Sequence, residues 1–214
     1  MIKKNLKTLL LSSFIVLLPM VVGLFLYPSL PAEIATHFNS DGVADGWSSR
    51  AFAVFAMPLI LLGAHLLCVF ICSADPKYEN ITGKALLLVF WILPAVSVFV
   101  MSSIYAAALG LKFGMGVIID LMVGILFAII GNYMPKCRQN YTVGIKVPWA
   151  LNDEDNWNYT HRVGGWCYML GGIAICVMAF LRFQKGVFAV ILLCALAPVA
   201  ASYLYYLRHP KNSE

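Results

Sequence analysis

Long runs of apolar residues, separated by short polar segments, recur six times along the chain. They cover residues 9–27, 51–73, 85–109, 115–133, 164–181 and 187–207. A helix needs about 20 mostly apolar residues to cross the hydrocarbon core of a bilayer, and these runs are close to that length. The pattern therefore predicts an all-α integral membrane protein, a six-helix transmembrane bundle that contacts the lipid bilayer.

Composition agrees with this fold class. The sequence of 214 residues is 61% hydrophobic and 12% charged, whereas soluble domains have about 45–50% apolar and about 25% charged residues. An ordinary soluble domain is excluded, because its water-facing surface needs more charge. The first run follows Lys3, Lys4 and Lys7, as a signal peptide would, but it exceeds the roughly 7–15 residues of a signal core. We therefore expect it to remain as the first transmembrane helix.

The distribution of Lys and Arg predicts the orientation of the helices. If the N-terminus is cytoplasmic, eleven of the 15 Lys and Arg residues fall on the inner side, where such residues collect in membrane proteins. We predict that both termini are cytoplasmic, with an ordered outer loop at residues 28–50 and an ordered inner loop at 134–163. Residues 1–84 would form an N-terminal helix pair, and residues 85–214 a four-helix region. No loop concentrates enough positive charge to bind nucleic acid directly.

The outer loop has the polar composition of a structured cap. After Pro31, the segment from Glu33 to Phe38 predicts a short helix that would place Glu33 and His37 on one face, followed by turns at 39–42 and 45–46. The residues that we expect to sense an outer ligand are Glu33, His37, Asn39, Asp41, Asp45 and Trp47. A metal site of Glu33 and His37 with Asp41 or Asp45 is an alternative, but zinc sites usually show a firmer ligand set. We therefore expect neither a metal nor another cofactor here.

The inner loop is rich in aromatic residues, which a disordered tether would lack. Its segment 141–147 predicts an extended chain with a bend at Gly144, and Pro148 keeps Val147 out of the helical region. Asn152 is predicted to cap a short helix whose first turn holds acidic residues, where the helix dipole favours them. Ordered loops of this length are usually functional, so we expect a compact lid on the inner face.

The inner loop also carries an extended motif. From Asn132 it reads Asn-Tyr-x-Pro-Lys-x-Arg-x-Asn-x-x-x-Gly-Ile-Lys-x-Pro-Trp-x-Leu, followed by Asn-Trp and Thr-His-Arg. This motif resembles that of the SdpI family of bacterial membrane proteins. The outer Leu-Pro-x-x-Ile-x-x-His-Phe-Asn-x-x-Gly-x-x-Asp-x-Trp resembles a short domain of unknown function that often precedes it. One departure is Lys146, where the family pattern leads us to expect Arg; the charge stays but the bidentate fork is lost.

The resemblance implies a function that the residues alone do not give. It implies an immunity protein of the bacterial cell membrane, which gives resistance to a secreted antimicrobial peptide toxin. It also implies signalling, in which a small cytoplasmic transcriptional repressor is held at the membrane. The inner-loop residues that it implies as the partner surface are Asn132, Asn140, Gly144, Ile145, Pro148, Trp149, Trp157, Thr160, His161 and Arg162.

Two polar residues fall inside predicted helices. Asp120 lies in the fourth run, where a carboxylate marks a pathway, a buried pair or a neutral acid; an acid near the interface, wetted or paired with Lys112, is the other interpretation. His65 lies in the middle of the second run, with Cys68 and Cys72 on about the same face. These three would suit a soft metal, although a buried histidine bonded to a backbone carbonyl is the commoner case.

Two other function classes stay open. A proton- or ion-coupled transporter or exporter would use Asp120 and His65 in one water-filled cavity. An intramembrane enzyme would use His37 or His161 beside acidic residues. Because the chain has no nucleophile elbow, phosphate loop or zinc-protease motif, we expect no enzyme.

Overall fold

The computed structural model describes residues 1–39, 41–81, 83–111 and 113–209. Among these residues, six helices are long and apolar enough to cross a membrane, which confirms the predicted helical membrane fold. Their orientation across the bilayer stays a prediction. The transmembrane helices are α1 Leu6–Leu26, α2 Met57–Ala74, α3 Gly83–Ala108, α4 Met115–Tyr133, α6 Glu154–Leu181 and α7 Gln184–Arg208, and a single turn forms α5, Pro148–Leu151. A π-helical segment, Phe52–Ala56, leads into α2.

The chain divides into two compact units. The first contains Met1–Ser73 and Leu87–Gly116, and the second contains Ala74–Leu86 and Val117–Glu214. Helix α3 therefore begins in the second unit and continues in the first, and α4 begins in the first and continues in the second.

The predicted short helix at Glu33–Phe38 is wrong, because this segment is a strand. Strand β1, Glu33–Phe38, pairs antiparallel with β2, Ala44–Ser49, in a two-stranded hairpin. The turn between them is held by the side chain of Asn39, whose Oδ1 accepts hydrogen bonds from the backbone N–H of Asp41 at 3.0 Å and of Val43 at 2.9 Å. Gly42 follows at φ +74°, a conformation that costs glycine least. Ser40 lies outside the described residues.

The hairpin is fixed to the helices of the first unit by an apolar cluster and one cation. The cluster joins the chain around β1 to the π-helical segment and to the second half of α3; it consists of Leu30, Ile34, Ala53, Val54, Met101, Ile104 and Tyr105. Arg50 donates from Nη1 to the carbonyl oxygens of Tyr27 at 2.8 Å and Leu30 at 2.9 Å. Its guanidinium also lies 4.3 Å from the centre of the Tyr27 ring. The end of β2 is thus tied to the end of α1.

In the second unit, α4 packs closely on α6 through glycines. A Cβ on Gly124 would lie 2.8 Å from the carbonyl oxygen of Gly172, and one on Gly131 would lie 2.7 Å from that of Gly165. Real side chains never come this close, so only glycine permits the approach. Small residues of this kind commonly permit close packing of transmembrane helices.

Helix α6 corrects two predictions about the inner loop. It begins at Glu154 rather than at residue 164, and its N-cap is Asp153 rather than Asn152, since the Asp153 side chain accepts the backbone N–H of Asp155 at 3.0 Å. The predicted short helix is therefore the first turn of a transmembrane helix. As a result, the irregular part of the inner loop shortens to residues 134–153.

Candidate functional site

The inner loop is organised around the buried side chain of Asn140, which is 2% exposed. Its Oδ1 accepts from the backbone N–H of Thr142 at 2.9 Å and of Val143 at 2.6 Å. Its Nδ2 donates to the carbonyl oxygens of Arg138 at 2.8 Å and Val143 at 3.0 Å. The side-chain amide of Asn140 thus provides hydrogen-bond partners for backbone N–H and C=O groups that have none in regular secondary structure. Buried backbone groups of this kind need such partners.

A buried carboxylate ties the loop to the connection between α2 and α3. Asp75 is 4% exposed, and its Oδ2 accepts from the Tyr141 backbone N–H and the Thr142 hydroxyl, both at 2.8 Å. Its Oδ1 accepts from the backbone N–H of Lys77 at 2.7 Å. Three donors therefore stabilise this charge, and no cation pairs with it among the residues that the structure describes; buried charges need such partners.

Gln139 forms a second link between the same two segments. Its Oε1 accepts from the Lys77 ammonium at 2.5 Å, and its backbone carbonyl accepts from Asn80 at 2.7 Å. Its Nε2 donates to the carbonyl oxygens of Ala150 at 3.2 Å and Leu151 at 3.0 Å, at the end of α5. The connection between α2 and α3, the loop and α5 are therefore joined through one side chain.

His161 holds the middle of the loop against α6. Its Nε2 accepts from the backbone N–H of Ile145 at 3.1 Å, so Nδ1 carries the proton and donates to the carbonyl oxygen of Trp157 at 2.8 Å. The two rings stack with centroids 4.0 Å apart. Trp157 in turn donates its indole N–H to the carbonyl oxygen of Cys137 at 2.9 Å. Gly144 lies over the imidazole at φ +119°, which confirms the predicted bend.

A buried polar network joins α5, α6 and α7. The Oγ of Ser202, on α7, accepts the indole N–H of Trp149 at 2.9 Å and donates to the Asn156 side chain at 2.7 Å. The Thr160 hydroxyl lies 2.5 Å from the same Oγ. Asn156 completes the link by donating to the Ser202 carbonyl oxygen at 3.2 Å. Trp149 therefore has a fixed ring orientation.

The residues predicted for the partner surface fall into two groups. The side chains of one group are buried inside the loop: Asn140, Trp157, Thr160 and His161. The others lie at the surface or are half-buried: Asn132, Gly144, Ile145, Pro148, Trp149 and Arg162. A partner that contacts the folded loop from outside meets the second group, while the first group determines the shape of the loop.

Sequence reasoning missed four residues of this site: Asp75, Gln139, Asn156 and Ser202. A signal existed for Asn156, because it lies four positions before Thr160, which is the spacing of one helical face. Ser202 lies inside an apolar run, where a serine also serves as a small packing residue. For Asp75 the sequence offers no signal, since its partners Tyr141 and Thr142 are distant in the chain.

The thiol of Cys137 is buried at the start of the loop. It is 6% exposed, and burial raises the pKa of this thiol to about 11. The neutral thiol is therefore the form that the loop holds at physiological pH, which is typical of an inert structural cysteine.

In the outer hairpin, the predicted sensing residues are held in a different geometry from the one expected. His37 on β1 donates from Nδ1 to Asp45 on β2 at 2.5 Å, and both side chains are largely exposed. Trp47 is 59% exposed. Glu33 and His37 are four positions apart along a strand, roughly 13 Å at the strand rise, so they do not form a chelating pair. Among the described residues, no three His, Cys, Asp or Glu side chains lie close enough together to hold a metal ion.

The two intramembrane polar residues lie in different units. In the first unit, the Ser12 hydroxyl donates to the Leu9 carbonyl oxygen at 3.0 Å, so His65 donates from Nε2 to Ser12 at 2.9 Å. In the second unit, Asp120 is 8% exposed and is hydrogen-bonded by the Gln184 side chain. Its Oδ2 has no partner among the described residues. Lys112, the proposed alternative partner, lies outside the described residues.

Comparison with known proteins supports the resemblance seen in the motifs. Residues 14–62 match a domain of unknown function (DUF1648), and residues 136–206 match the SdpI/YfhL protein family. Over 212 residues, which are 95% of this chain and 96% of the relative, the chain is 29% identical to the Immunity protein SdpI of Bacillus subtilis (strain 168). No solved structure matches the chain significantly. With its six apolar helices, the chain is therefore a multi-pass bacterial membrane protein.

Proposed function

We propose that the protein is an immunity and signalling protein of the cell membrane, because its residues 136–206 match the SdpI/YfhL protein family. It gives resistance to a secreted antimicrobial peptide toxin and holds a cytoplasmic repressor at its inner loop. The observation that carries the proposal is the alignment with an immunity protein over 95% of the chain. Because the match spans both the hairpin and the inner loop, it covers both surfaces that the proposal uses.

The hairpin is the proposed toxin contact. Trp47 and Val43 are each 59% exposed, and Asn39 and the His37–Asp45 pair fix the turn and the strands that carry them. Exposed aromatic side chains on a preformed scaffold are frequent anchors in protein recognition. The bias of Lys and Arg towards the N-terminal side of α1 favours an orientation in which this hairpin faces the outside of the cell.

The inner loop is the proposed contact for the repressor. Its exposed residues Pro148 and Arg162 and the half-buried Trp149 offer a rigid surface, because the buried network beneath fixes their positions. We assign Asn140, Trp157, Thr160 and His161 a positioning role. Toxin binding would change the affinity of this surface for the repressor by shifting the loop between two conformations. Moving their population ratio from 1:99 to 99:1 requires about 5.5 kcal/mol of differential binding. The toxin therefore has to bind one state of the protein more tightly than the other by this amount.

The proposal is tested by the survival of a toxin-sensitive bacterium that expresses the protein. The cells are challenged with membrane-active peptides secreted by bacteria from the same habitat, and membrane levels of each variant are measured. Wild type is compared with Trp149→Ala and with Trp166→Ala, the latter a matched loss of an exposed indole from α6 outside the loop. We expect wild type and Trp166→Ala to protect the cells, and Trp149→Ala to lose protection at an equal membrane level.

The same assay separates the proposed function from the transporter alternative. Asp120→Asn keeps the shape of the side chain and its bond to Gln184 but removes the ionisable group. Loss of protection in Asp120→Asn alone, with Trp149→Ala unaffected, would support a proton-coupled transporter. Wild-type protein that reaches the membrane and protects against none of the peptides would contradict the immunity function.

A further inference from the structure

The ring of Tyr133, the last residue of α4, lies beside two lysine side chains. Nζ of Lys84 is 5.8 Å from the centre of this ring, and Nζ of Lys136 is 5.5 Å from it. The two ammonium groups are therefore separated by at most the sum of these distances. All three residues belong to the second unit. Tyr133 and Lys136 are part of the motif that begins at Asn132, but the proposed contact for the repressor does not use them.

Neither ammonium group has a counter-charge among the residues that the structure describes. Within these residues, neither of them forms an ion pair or a hydrogen bond. The two acidic residues that precede Lys84 on the same connection are bonded elsewhere. Asp75 accepts from donors of the inner loop, and Glu79 accepts from the Tyr78 hydroxyl at 3.5 Å. Two like charges at one ring repel each other, whereas an anion in contact with both would attract both.

Lys84 is also in an unfavourable position on its own helix. It lies in the first turn of α3, which contains no acidic residue, and the dipole of a helix disfavours a cation there. Lys136 lies in the short turn that follows the end of α4, where the dipole favours a cation. Of the two charges, that of Lys84 therefore gains more from a bound anion.

The position of Tyr133 along α4 matches the level of lipid headgroups. Helix α4 has 19 residues and is therefore about 28 Å long, close to the roughly 30 Å thickness of the hydrocarbon core. Its last residue thus lies at the edge of the hydrocarbon, where tyrosine is frequent. Ile125 and Ile129, which are 52% and 39% exposed, precede Tyr133 at steps of four residues on about the same side of the helix. This side of α4 therefore faces acyl chains, and the two lysines lie at its end.

We propose that Lys84 and Lys136 bind the phosphate group of one anionic phospholipid at this end of α4. The Tyr133 ring holds both lysine side chains near the phosphate, and the acyl chains lie along Ile125 and Ile129. Lysine binds phosphate as a point charge, and basic sites at the ends of transmembrane helices bind the headgroups of anionic lipids. The inference does not depend on the proposed function or on the orientation of the helices, because phospholipid phosphates lie at both surfaces of a bilayer.

The test is native mass spectrometry of the whole protein in a non-ionic detergent, which separates the protein with one bound lipid from the protein with none. The probes are phosphatidylglycerol and phosphatidylcholine with the same acyl chains; both contain a phosphate, but the choline group adds a positive charge. One lysine near an anionic lipid contributes about fivefold in affinity. We therefore expect phosphatidylglycerol to bind at least about fivefold more tightly. Inorganic phosphate at the same concentration should not displace it, because it lacks acyl chains.

Matched variants test each part of the site. Lys84→Gln and Lys136→Gln should each weaken binding of phosphatidylglycerol about fivefold, whereas Lys84→Arg keeps the charge and should bind like the wild type. Lys185→Gln is the control for general surface charge, because Lys185 is exposed and is the second residue of α7, as Lys84 is of α3. It should change binding by less than about twofold. Tyr133→Leu should weaken binding about threefold, whereas Tyr133→Phe, which keeps the ring, should not.

The outcomes separate this inference from the proposed function. A preference for phosphatidylglycerol that needs both lysines and survives Lys185→Gln would support the site, even if the survival assay showed no protection. Equal binding of the two lipids, an equal loss in Lys185→Gln, or displacement by inorganic phosphate would overturn it, even in a protein that protects cells. Circular dichroism without added lipid checks that each variant is folded. If a glutamine variant does not fold, the comparison of Tyr133→Leu with Tyr133→Phe decides, and equal binding by these two would overturn the site.

Discussion

Nε2 of His161 accepts a hydrogen bond from the backbone N–H of Ile145 at 3.1 Å. A backbone N–H can only donate, so this nitrogen has to be unprotonated, and the ring is held as the neutral Nδ1–H tautomer. The buried histidine, 1% exposed, is thus a structural acceptor for the loop. That geometry leaves no free nitrogen for acid–base chemistry, which argues against the enzyme that sequence alone left open at His161.

Replacement of Gly144 tests how much the loop depends on this contact. Gly144→Ala should open the loop, because its φ of +119° strains an L-residue and a Cβ would collide with the His161 imidazole. We expect the amides of 141–147 to exchange with deuterium at least about tenfold faster, as the loss of roughly 1–2 kcal/mol implies. Mass spectrometry of the corresponding peptide measures this rate.

Gly110→Ala is the matched control for this prediction. Gly110 also has a positive φ, +85°, but a Cβ there would meet nothing within 4 Å. The difference in amide exchange rate between the two variants therefore separates the effect of the clash with His161 from that of backbone strain. Equal exchange of the loop in Gly144→Ala and in the wild type would show that the imidazole does not hold it.

The inner loop was predictable only where its constraints are local. The positive φ at Gly144 and the extended Val147 before Pro148 follow from chain stereochemistry within a few residues. The start of α6 was missed because hydropathy alone set the boundary, and the first turns of this helix carry polar residues. Asn156 and Thr160 nevertheless repeat at helical spacing, so periodicity would have placed them on α6.

Substitution of Asp75 tests the link between the loop and the connection that precedes α3. Asp75→Asn retains the size of the side chain but replaces one acceptor oxygen with an NH₂ donor. In either orientation of the amide, this donor faces another donor: the Tyr141 N–H and Thr142 hydroxyl, or the Lys77 N–H. Hydrogen bonds to a charged group contribute about 2 kcal/mol. We therefore expect roughly 30-fold faster amide exchange at Tyr141.

Glu79→Gln provides the control for Asp75→Asn, since it removes an exposed carboxylate from the same connection. Its exchange rates should match those of the wild type. If Asp75→Asn also left Tyr141 protected, the carboxylate would not be what fixes the loop, and Gln139 would be the next residue to replace.

The reactivity of Cys137 should depend on pH in a defined direction. Burial raises the pKa of its thiol from the ordinary 9.0 to about 11, and only the thiolate reacts with N-ethylmaleimide. Below pH 9 the folded protein should therefore be alkylated at Cys137 roughly 100-fold more slowly than the unfolded chain. The rate should rise steadily until about pH 11.

Mass spectrometry of the labelled peptide, with and without denaturant, measures both rates for Cys137. Cys137 in the denatured protein serves as the reference for the intrinsic reactivity of the thiol. Rapid labelling of Cys137 in the folded protein at pH 8 would mean that the start of the inner loop opens readily.

The outer hairpin shows where hydropathy cannot distinguish a helix from a strand. The segment Glu33–Phe38 is too short to show clearly the hydrophobic period of a helix or that of a strand. Residues four apart, such as Glu33 and His37, lie on the same side of the chain in both structures. The stronger signal was the turn: Asp41-Gly42 between two short segments is typical of a hairpin. The turn brings His37 opposite Gly46, and the His37 side chain then reaches the neighbouring Asp45; the shifts in register on both sides of His37 could not be predicted from the turn.

Substitutions in the hairpin separate toxin contact from scaffold. Trp47→Ala removes a ring that is 59% exposed, so it should leave the fold intact. If the ring is an anchor, the highest toxin concentration that the cells survive should fall at least about tenfold. Asn39→Ala should give a similar loss for another reason: it removes the oxygen that accepts from Asp41 and Val43. Asn39→Asp keeps that acceptor and should protect like the wild type. Dose–survival curves at matched membrane levels measure the effect, and full protection by Trp47→Ala would move the toxin contact away from this face.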